Sequence, residues 1–159
     1  MTALLPTLVA TCFALAVGFL TPLVWIERPL LGLLWDVASE NIKDADVQRI
    51  FSAIHVVAQA DAPKIVGIFG LSGMVFAVIQ AWQYGFHWAA VLCATIIVVF
   101  NTYAVYDVRA VMKSVKGAHP RDEINKVRGV ARKAMRFHYI GFMMYAITLL
   151  VQLVLVIGC

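Results

Sequence analysis

Long apolar segments alternate with charged loops along this chain. The loops, residues 27–64 and 107–138, carry its Asp, Glu, Lys and Arg residues. Four segments lack these residues, and each is long enough for a membrane-spanning helix: residues 3–26, 65–84, 88–106 and 139–158. About twenty apolar helical residues cross the roughly 30 Å hydrocarbon core, where a helix satisfies its own backbone polar groups. The pattern predicts an all-α, integral membrane four-helix bundle that forms one transmembrane domain, residues 1–159.

The first charged loop contains an additional helical pattern. Its apolar residues recur at helical spacing: Val47, Ile50, Phe51, Ile54 and Val57. This repeat predicts an amphipathic helix over about 44–62. Asp44 or Asp46 is the expected N-cap, because a short carboxylate accepts hydrogen bonds from first-turn amides. Such a helix either lies in the headgroup plane or extends the second span, and the spacing leaves both arrangements open.

The charge distribution indicates which way the bundle faces. The loop 107–138 has nine basic residues and the loop 27–64 has four, whereas the hairpin turn at Gly85 has none. By the positive-inside rule both loops are cytoplasmic and both termini face outward, as in a bacterial inner-membrane protein. A basic helical run in the second loop is expected to contact anionic lipid headgroups: Lys126, Arg128, Arg132, Lys133 and Arg136.

The composition agrees with a lipid environment. The 159 residues are 62% hydrophobic and 14% charged, far from the balance of a soluble domain, and the mean hydropathy is +0.86. The net charge of +4 therefore indicates contact with the bilayer surface, and no nucleic-acid partner is expected. Three scattered cysteines, Cys12, Cys93 and Cys159, are expected to be small buried hydrophobic residues.

Small and polar residues within the spans predict which faces pack inside the bundle. In the fourth span they form one stripe: His138, Gly141, Tyr145, Thr148, Gln152 and Cys159. The second and third spans offer further candidates: Gly67, Gly70, Gly73, Ala77 and Gln80, then Thr95, Asn101 and Thr102. The polar bundle face is expected to contain Gly141, Tyr145, Thr148, Gln152 and Asn101. Interhelical packing is the simpler interpretation of this face. A solute-binding site lined by these residues is the more specific interpretation.

Two histidines have positions that suggest chemistry. His55 in the amphipathic helix and His138 at the start of the fourth span belong at the same end of the bundle. Two neutral imidazoles from different helices are a ligand set for a b-type haem iron or a metal ion. The simpler interpretation is that both are interface residues with hydrogen-bond partners. In that interpretation the chain has no cofactor, no metal ligand and no catalytic residue.

The C-terminal part of the chain is similar to a known family. The run 101–112, followed after a basic loop by Arg132, Arg136, Phe137 and His138, resembles the uncharacterised four-helix membrane family that includes the eukaryotic transmembrane protein linked to platinum-drug resistance. The first span lacks the His and Trp-Gly features usual in that family. The resemblance covers about the last 60 residues. It implies a four-helix fold and supplies no mechanism, because the family has no settled activity.

These observations favour a non-enzymatic protein. Catalysis within a membrane normally requires paired ionisable groups inside the spans, and the predicted spans contain no Asp, Glu, Lys or Arg. We expect an accessory or interaction subunit of a larger membrane complex or homo-oligomer, or a small-solute or stress-related membrane factor. A haem- or metal-binding redox protein that uses His55 and His138 is the alternative.

Overall fold

The computed structural model describes residues 4–34, 41–60 and 62–157, and every regular element within them is helical. The elements are α1 (Leu4–Glu27), a 3₁₀ helix (Arg28–Leu33), α2 (Asp44–Gln59), α3 (Ala62–Gln83), α4 (Trp88–Lys116) and α5 (Ile124–Ile157). Four described segments are long and apolar enough to cross a membrane: Leu4–Leu33, Pro63–Gln83, Trp88–Lys116 and Ile124–Ile157. The predicted all-α class is confirmed, and the chain is an integral membrane protein. Cys159 and the predicted span ends at residues 3 and 158 lie outside the described residues.

The four long helices form a ring in the order of the chain. Helix α1 packs against α3 and α5, and α4 packs against the same two helices. Consecutive spans are therefore neighbours, and the first and last spans close the ring. Aromatic and branched side chains fill its centre, where Phe13, Ile97 and Phe100 are almost fully buried. This closure brings the C-terminal helix beside the N-terminal one.

The hairpin between α3 and α4 turns at Gly85, as the sequence predicts. The amide of Phe86 donates to the carbonyl of Ala81, and the amide of Gly85 donates to the carbonyl of Trp82. These two bonds form a Schellman motif, in which the residue after the helix adopts a left-handed conformation. Gly85 adopts it at φ 58°, a region that glycine enters without steric cost.

Helices α4 and α5 are longer than a bilayer requires. At 1.5 Å per residue α5 is roughly 51 Å long, against a hydrocarbon thickness of about 30 Å. Large exposed apolar side chains end at Tyr106 in α4 and begin at Met143 in α5. The lipid-facing surface therefore stops at these residues, and the adjoining turns of both helices extend beyond it. We call this part of the molecule, residues 107–142 together with α2, the basic end.

Helix α2 packs onto these extensions. Its buried residues join a second core with residues of α4 and α5: Val47, Ile50, Phe51, Ile54 and Ala58 with Val111, Val115, Val127, Ala131 and Met135. Helices α4 and α5 therefore cover the apolar face of α2. The sequence pattern had left open that this face contacts lipid headgroups. The backbone is extended at Ala60, with ψ 174°, so α2 also does not continue into α3. The predicted amphipathic helix is therefore present as an element separate from α3, with its apolar face packed on α4 and α5.

The N-terminus of α2 also differs from the prediction. Lys43 occupies the N-cap position, and its side chain makes no capping hydrogen bond. Asp44 and Asp46 lie in the first turn, where carboxylates stabilise the positive end of the helix dipole. Asp44 accepts hydrogen bonds from Arg128 of α5 at 2.6 and 3.2 Å. Asp44 therefore anchors α2 to α5 and does not cap its own helix.

Candidate functional site

A cavity of about 480 Å³ lies inside the bundle toward the basic end. Residues of α1, α3, α4 and α5 and the C-terminal half of α2 form its walls. Among the described residues, three lining side chains are polar: Asn101, His138 and Tyr145. Small-molecule sites in proteins typically have volumes of about 300–1,000 Å³. This cavity is therefore the candidate functional site.

A glycine keeps part of the cavity open. Gly67 lines the cavity, and a Cβ atom added to it would meet no other atom within 4 Å. The neighbouring Gly70 and Gly73 behave differently, because added Cβ atoms would overlap the side chains of Tyr145 and Phe13. The small-residue surface predicted on the second span therefore has two roles. Gly70 and Gly73 allow close helix packing, and Gly67 leaves open space in the cavity.

Three helices are joined by hydrogen bonds at the inner end of the cavity. The hydroxyl of Tyr145 donates to Asn101 Oδ1 at 3.2 Å, and Asn101 Nδ2 donates to the carbonyl of Gly70 at 3.2 Å. Tyr145 also packs edge-to-face on Phe100, with 5.2 Å between ring centroids, and is stacked on Phe13 at 6.1 Å. These contacts fix the two polar side chains that the sequence assigned to the bundle interior.

His138, another residue of the cavity lining, contacts a buried carboxylate. His138 Nδ1 and Glu27 Oε1 share a hydrogen bond at 2.6 Å. Glu27 is the last residue of α1 and has no exposed surface, and its Oε2 has no hydrogen-bond partner in the described part of the chain. The hydroxyl of the adjacent Tyr139 donates to the carbonyl of Val24 at 3.2 Å. Two side chains of α5 therefore bind the end of α1.

Glu27 is buried although it lies just outside the predicted first span, residues 3–26. In the sequence it follows the first span and precedes Arg28. In the structure Arg28 is exposed, with its guanidinium 5.5 Å from the ring centroid of Trp25, while Glu27 faces inward. Glu27 follows the buried Leu20 by two helical turns and so continues its face of α1. The sequence gives no signal for this orientation, because α1 is apolar on all sides and has no distinct polar or apolar face.

His55 lies in a different environment. Its Nδ1 donates to the carbonyl of Val115 at 3.0 Å, and its Nε2 accepts a hydrogen bond from Gln59 at 2.7 Å. Coordination of an iron by His55 would require Gln59 to move. Within the described ranges no group of three or more His, Cys, Asp or Glu residues is placed to hold a metal ion. The haem or metal alternative stays a prediction, and the hydrogen bonds of His55 do not favour it.

Thr148 and Gln152 lie beyond the cavity, near the α3–α4 hairpin. Gln152 Nε2 donates to the carbonyl of Pro6 and to Gln80 Oε1, both at 3.0 Å. Cys93 Sγ lies 3.6 Å from Gln152 Oε1, and Thr148 is buried beside them. These residues belong to all four spans. Their hydrogen bonds therefore hold the bundle together at the end away from the cavity.

Two of the polar residues predicted for the third span face outward. Thr95 and Thr102 are exposed, and the Thr102 hydroxyl donates to the carbonyl of Val98 in its own helix at 2.8 Å. This local bond satisfies the hydroxyl without a second helix. In α5, by contrast, Gly141 is buried and Met143 is half exposed, as the spacing of that stripe predicts.

The residues predicted to contact lipid headgroups have different surroundings. Lys126 pairs with Asp122 at 2.7 Å, and Arg128 pairs with Asp44 at 2.6 Å. These two cations therefore stabilise the basic end itself. The other three residues of the set are exposed and lie closer to Met143, where the lipid-facing surface begins: Arg132, Lys133 and Arg136.

The chain was compared with family models, curated proteins and solved structures, and none of them matches. The resemblance of its C-terminal part to the four-helix family therefore stays a prediction.

Proposed function

We propose that this chain is a non-enzymatic membrane protein that binds a small, largely apolar molecule in the cavity beside His138. The cavity carries the proposal: about 480 Å³ inside the bundle, lined by apolar residues together with Asn101, His138 and Tyr145. Mostly apolar pockets of about 300–1,000 Å³ that carry a few polar groups are typical of small-molecule sites. A cavity of this size in a 159-residue chain therefore favours a ligand over packing alone.

The rim of the cavity supports entry from the bilayer. Four lining residues are also 43–49% exposed on the outside of the bundle: Phe19, Ile26, Leu71 and Val105. They belong to the apolar segments that would face hydrocarbon, so a molecule dissolved in the bilayer would reach the cavity without crossing water. The same lining would disfavour an ion or a sugar, because few polar groups replace the water that such a solute loses.

The polar side chains of the cavity support binding more than catalysis. Asn101 and Tyr145 bind one another, and Asn101 also binds the backbone of Gly70. The described lining contains no serine, cysteine, lysine or carboxylate to serve as a nucleophile. We therefore retain the expectation of a non-enzymatic small-solute membrane factor. If the cavity stays empty in the native protein, the proposal is that the chain acts as an accessory or interaction subunit.

The proposed location is a bacterial inner membrane with the basic end in the cytoplasm. The basic loops support this orientation through the positive-inside rule. The exposed residues Arg132, Lys133 and Arg136 support it as well, because each cation near anionic headgroups contributes about 1 kcal/mol of attraction.

Photolabelling of the protein in lipid nanodiscs tests the proposal. An alkane with a photoreactive diazirine should label cavity residues, and mass spectrometry locates the labelled peptides. Gly67→Leu should fill the cavity and reduce that labelling severalfold. Gly18→Leu is the matched control, because Gly18 also has open space around it but does not line the cavity. Equal cavity labelling in the two variants would contradict the proposal.

A further inference from the structure

We infer that the cavity binds a single-chain amphiphile through a head group that accepts a hydrogen bond, such as the carboxylate of a long-chain fatty acid, and that His138 Nε2–H is the donor. This inference rests on the proposed function, because it names the chemical class of the ligand in the same cavity. The observation behind it is the pairing of His138 with Glu27.

The surroundings of Glu27 disfavour a net negative charge. Glu27 is fully buried, and its Oε2 has no hydrogen-bond partner among the described residues. A buried charge without a partner is strongly destabilising. The guanidinium of Arg28 lies over the ring of Trp25, and among the described residues the ion-pair partner of Glu27 is the imidazole of His138. The pair is therefore most stable when it is neutral overall.

Both neutral forms of the pair place a hydrogen on His138 Nε2. If Glu27 is ionised, His138 is an imidazolium and both ring nitrogens carry protons. If Glu27 is protonated, its hydroxyl donates to Nδ1, and the neutral ring carries its own proton on Nε2. Nε2 lacks a hydrogen only when an ionised Glu27 lies beside a neutral His138. That form retains the unfavourable buried negative charge. Glu27 thus makes His138 a hydrogen-bond donor to the ligand.

The position of His138 suits the head group of an amphiphile. His138 precedes Met143, where the lipid-facing surface of α5 begins, by roughly 7 Å along the helix axis. Head groups of membrane amphiphiles lie at this level. Tyr145 lies about 10 Å deeper along α5, at the inner end of the cavity. The apolar lining between these two residues would receive the first part of the hydrocarbon chain, and the rest would extend past the exposed rim residues Phe19, Leu71 and Val105 into the bilayer.

Three diazirine-labelled probes of equal chain length separate the possible head groups: a fatty acid, its methyl ester and an alkylamine. An ammonium group only donates hydrogen bonds, so it mismatches His138 Nε2–H. In nanodiscs the acid should reach half-maximal cavity labelling at about a tenfold lower concentration than the amine, as expected for one charge-assisted hydrogen bond. The ester carbonyl and the carboxylate both accept a hydrogen bond. Labelling by the ester therefore shows whether the head group must also carry a negative charge.

Two substitutions of His138 assign the donor. In His138→Gln the amide lies near the position of Nε2 and keeps the donor, whereas in His138→Asn it lies near the position of Nδ1 and keeps only the bond to Glu27. Labelling by the acid should persist in the first variant and fall about tenfold in the second. The diazirine alkane, which has no head group, should label the cavity equally in both variants and thus shows that each has folded.

The outcomes separate this inference from the proposed function. If the alkane labels the cavity and the amine labels it as well as the acid does, the assignment of the head group is wrong while the cavity remains a binding site. If no probe labels the cavity, both the proposed function and this inference fail.

Discussion

Tyr145 of α5 occupies the space that a side chain on Gly70 of α3 would need. A Cβ atom at residue 70 would overlap the phenol of Tyr145, whose hydroxyl donates to Asn101. Asn101 in turn donates to the carbonyl of Gly70. The inner end of the cavity therefore depends on the absence of a side chain at one position. It requires no special backbone conformation there.

Gly70→Ala should consequently destabilise the bundle by about 2 kcal/mol, because it adds overpacking and weakens a buried hydrogen bond. Reversible unfolding in mixed micelles measures this change. Gly67→Ala is the control, since its new methyl group enters open space and alanine favours the helix, so it should leave stability unchanged or raise it by up to about 1 kcal/mol. Equal losses in the two variants would show that Tyr145 does not pack as described.

Glu27 and His138 should be energetically coupled. Glu27→Leu leaves an imidazole without its partner, and His138→Leu leaves a buried carboxylate, so each single variant should lose about 3 kcal/mol. The double variant should lose less than the sum of the two, with a coupling energy of about 1–3 kcal/mol. The same unfolding assay measures the cycle, and strictly additive losses would contradict a direct pair.

Helix α2 should detach when its apolar face is truncated. Phe51 is fully buried between α2 and the extensions of α4 and α5, so Phe51→Ala should destabilise this contact by about 3 kcal/mol. Hydrogen exchange of the α2 amides in nanodiscs should accelerate strongly. Val56→Ala changes the exposed face of the same helix and should leave exchange almost unchanged. Fast exchange in the unmodified protein would show that α2 is not docked.

The turn between α4 and α5 should loosen in acid. The ammonium of Lys126 and the backbone amide of His119 both donate to the Asp122 carboxylate and lower its pKa below the ordinary value of 3.8. Because the pKa is lowered in the folded state, the stabilisation is complete above about pH 3.8 and disappears as the pH falls through the lowered pKa. NMR titration of the His119 amide measures the loss of this hydrogen bond as the pH falls. In Asp122→Asn this transition should be absent.

Cysteine labelling tests the proposed orientation. In a background without the three native cysteines, His87→Cys beside the hairpin turn should react in intact cells with a membrane-impermeant maleimide. Arg121→Cys at the basic end should react only after the membrane is permeabilised. Both positions are exposed, so burial does not prevent either reaction. The reverse pattern would place the basic end outside.

The number and type of the spans follow from the distribution of charged and apolar residues along the chain. Charged residues are excluded from hydrocarbon, so their absence from four long segments was sufficient to predict four membrane helices. The hairpin turn at Gly85 and the inward face of α5 were also predictable. A left-handed turn favours glycine, and polar side chains such as Tyr145 avoid lipid and so indicate which face of their helix is buried.

The environments of Glu27 and Gly67, in contrast, depend on how the helices pack against one another. Helix α1 is apolar around its whole circumference, so no periodicity indicates that residue 27 faces α5. Likewise, Gly67, Gly70 and Gly73 are alike in sequence, and only their neighbours show that Gly67 borders empty space. The cavity arises where helices far apart in the chain fail to fill the volume between them. Hydropathy reports the preference of each residue for lipid or water, and it carries no information about such a gap.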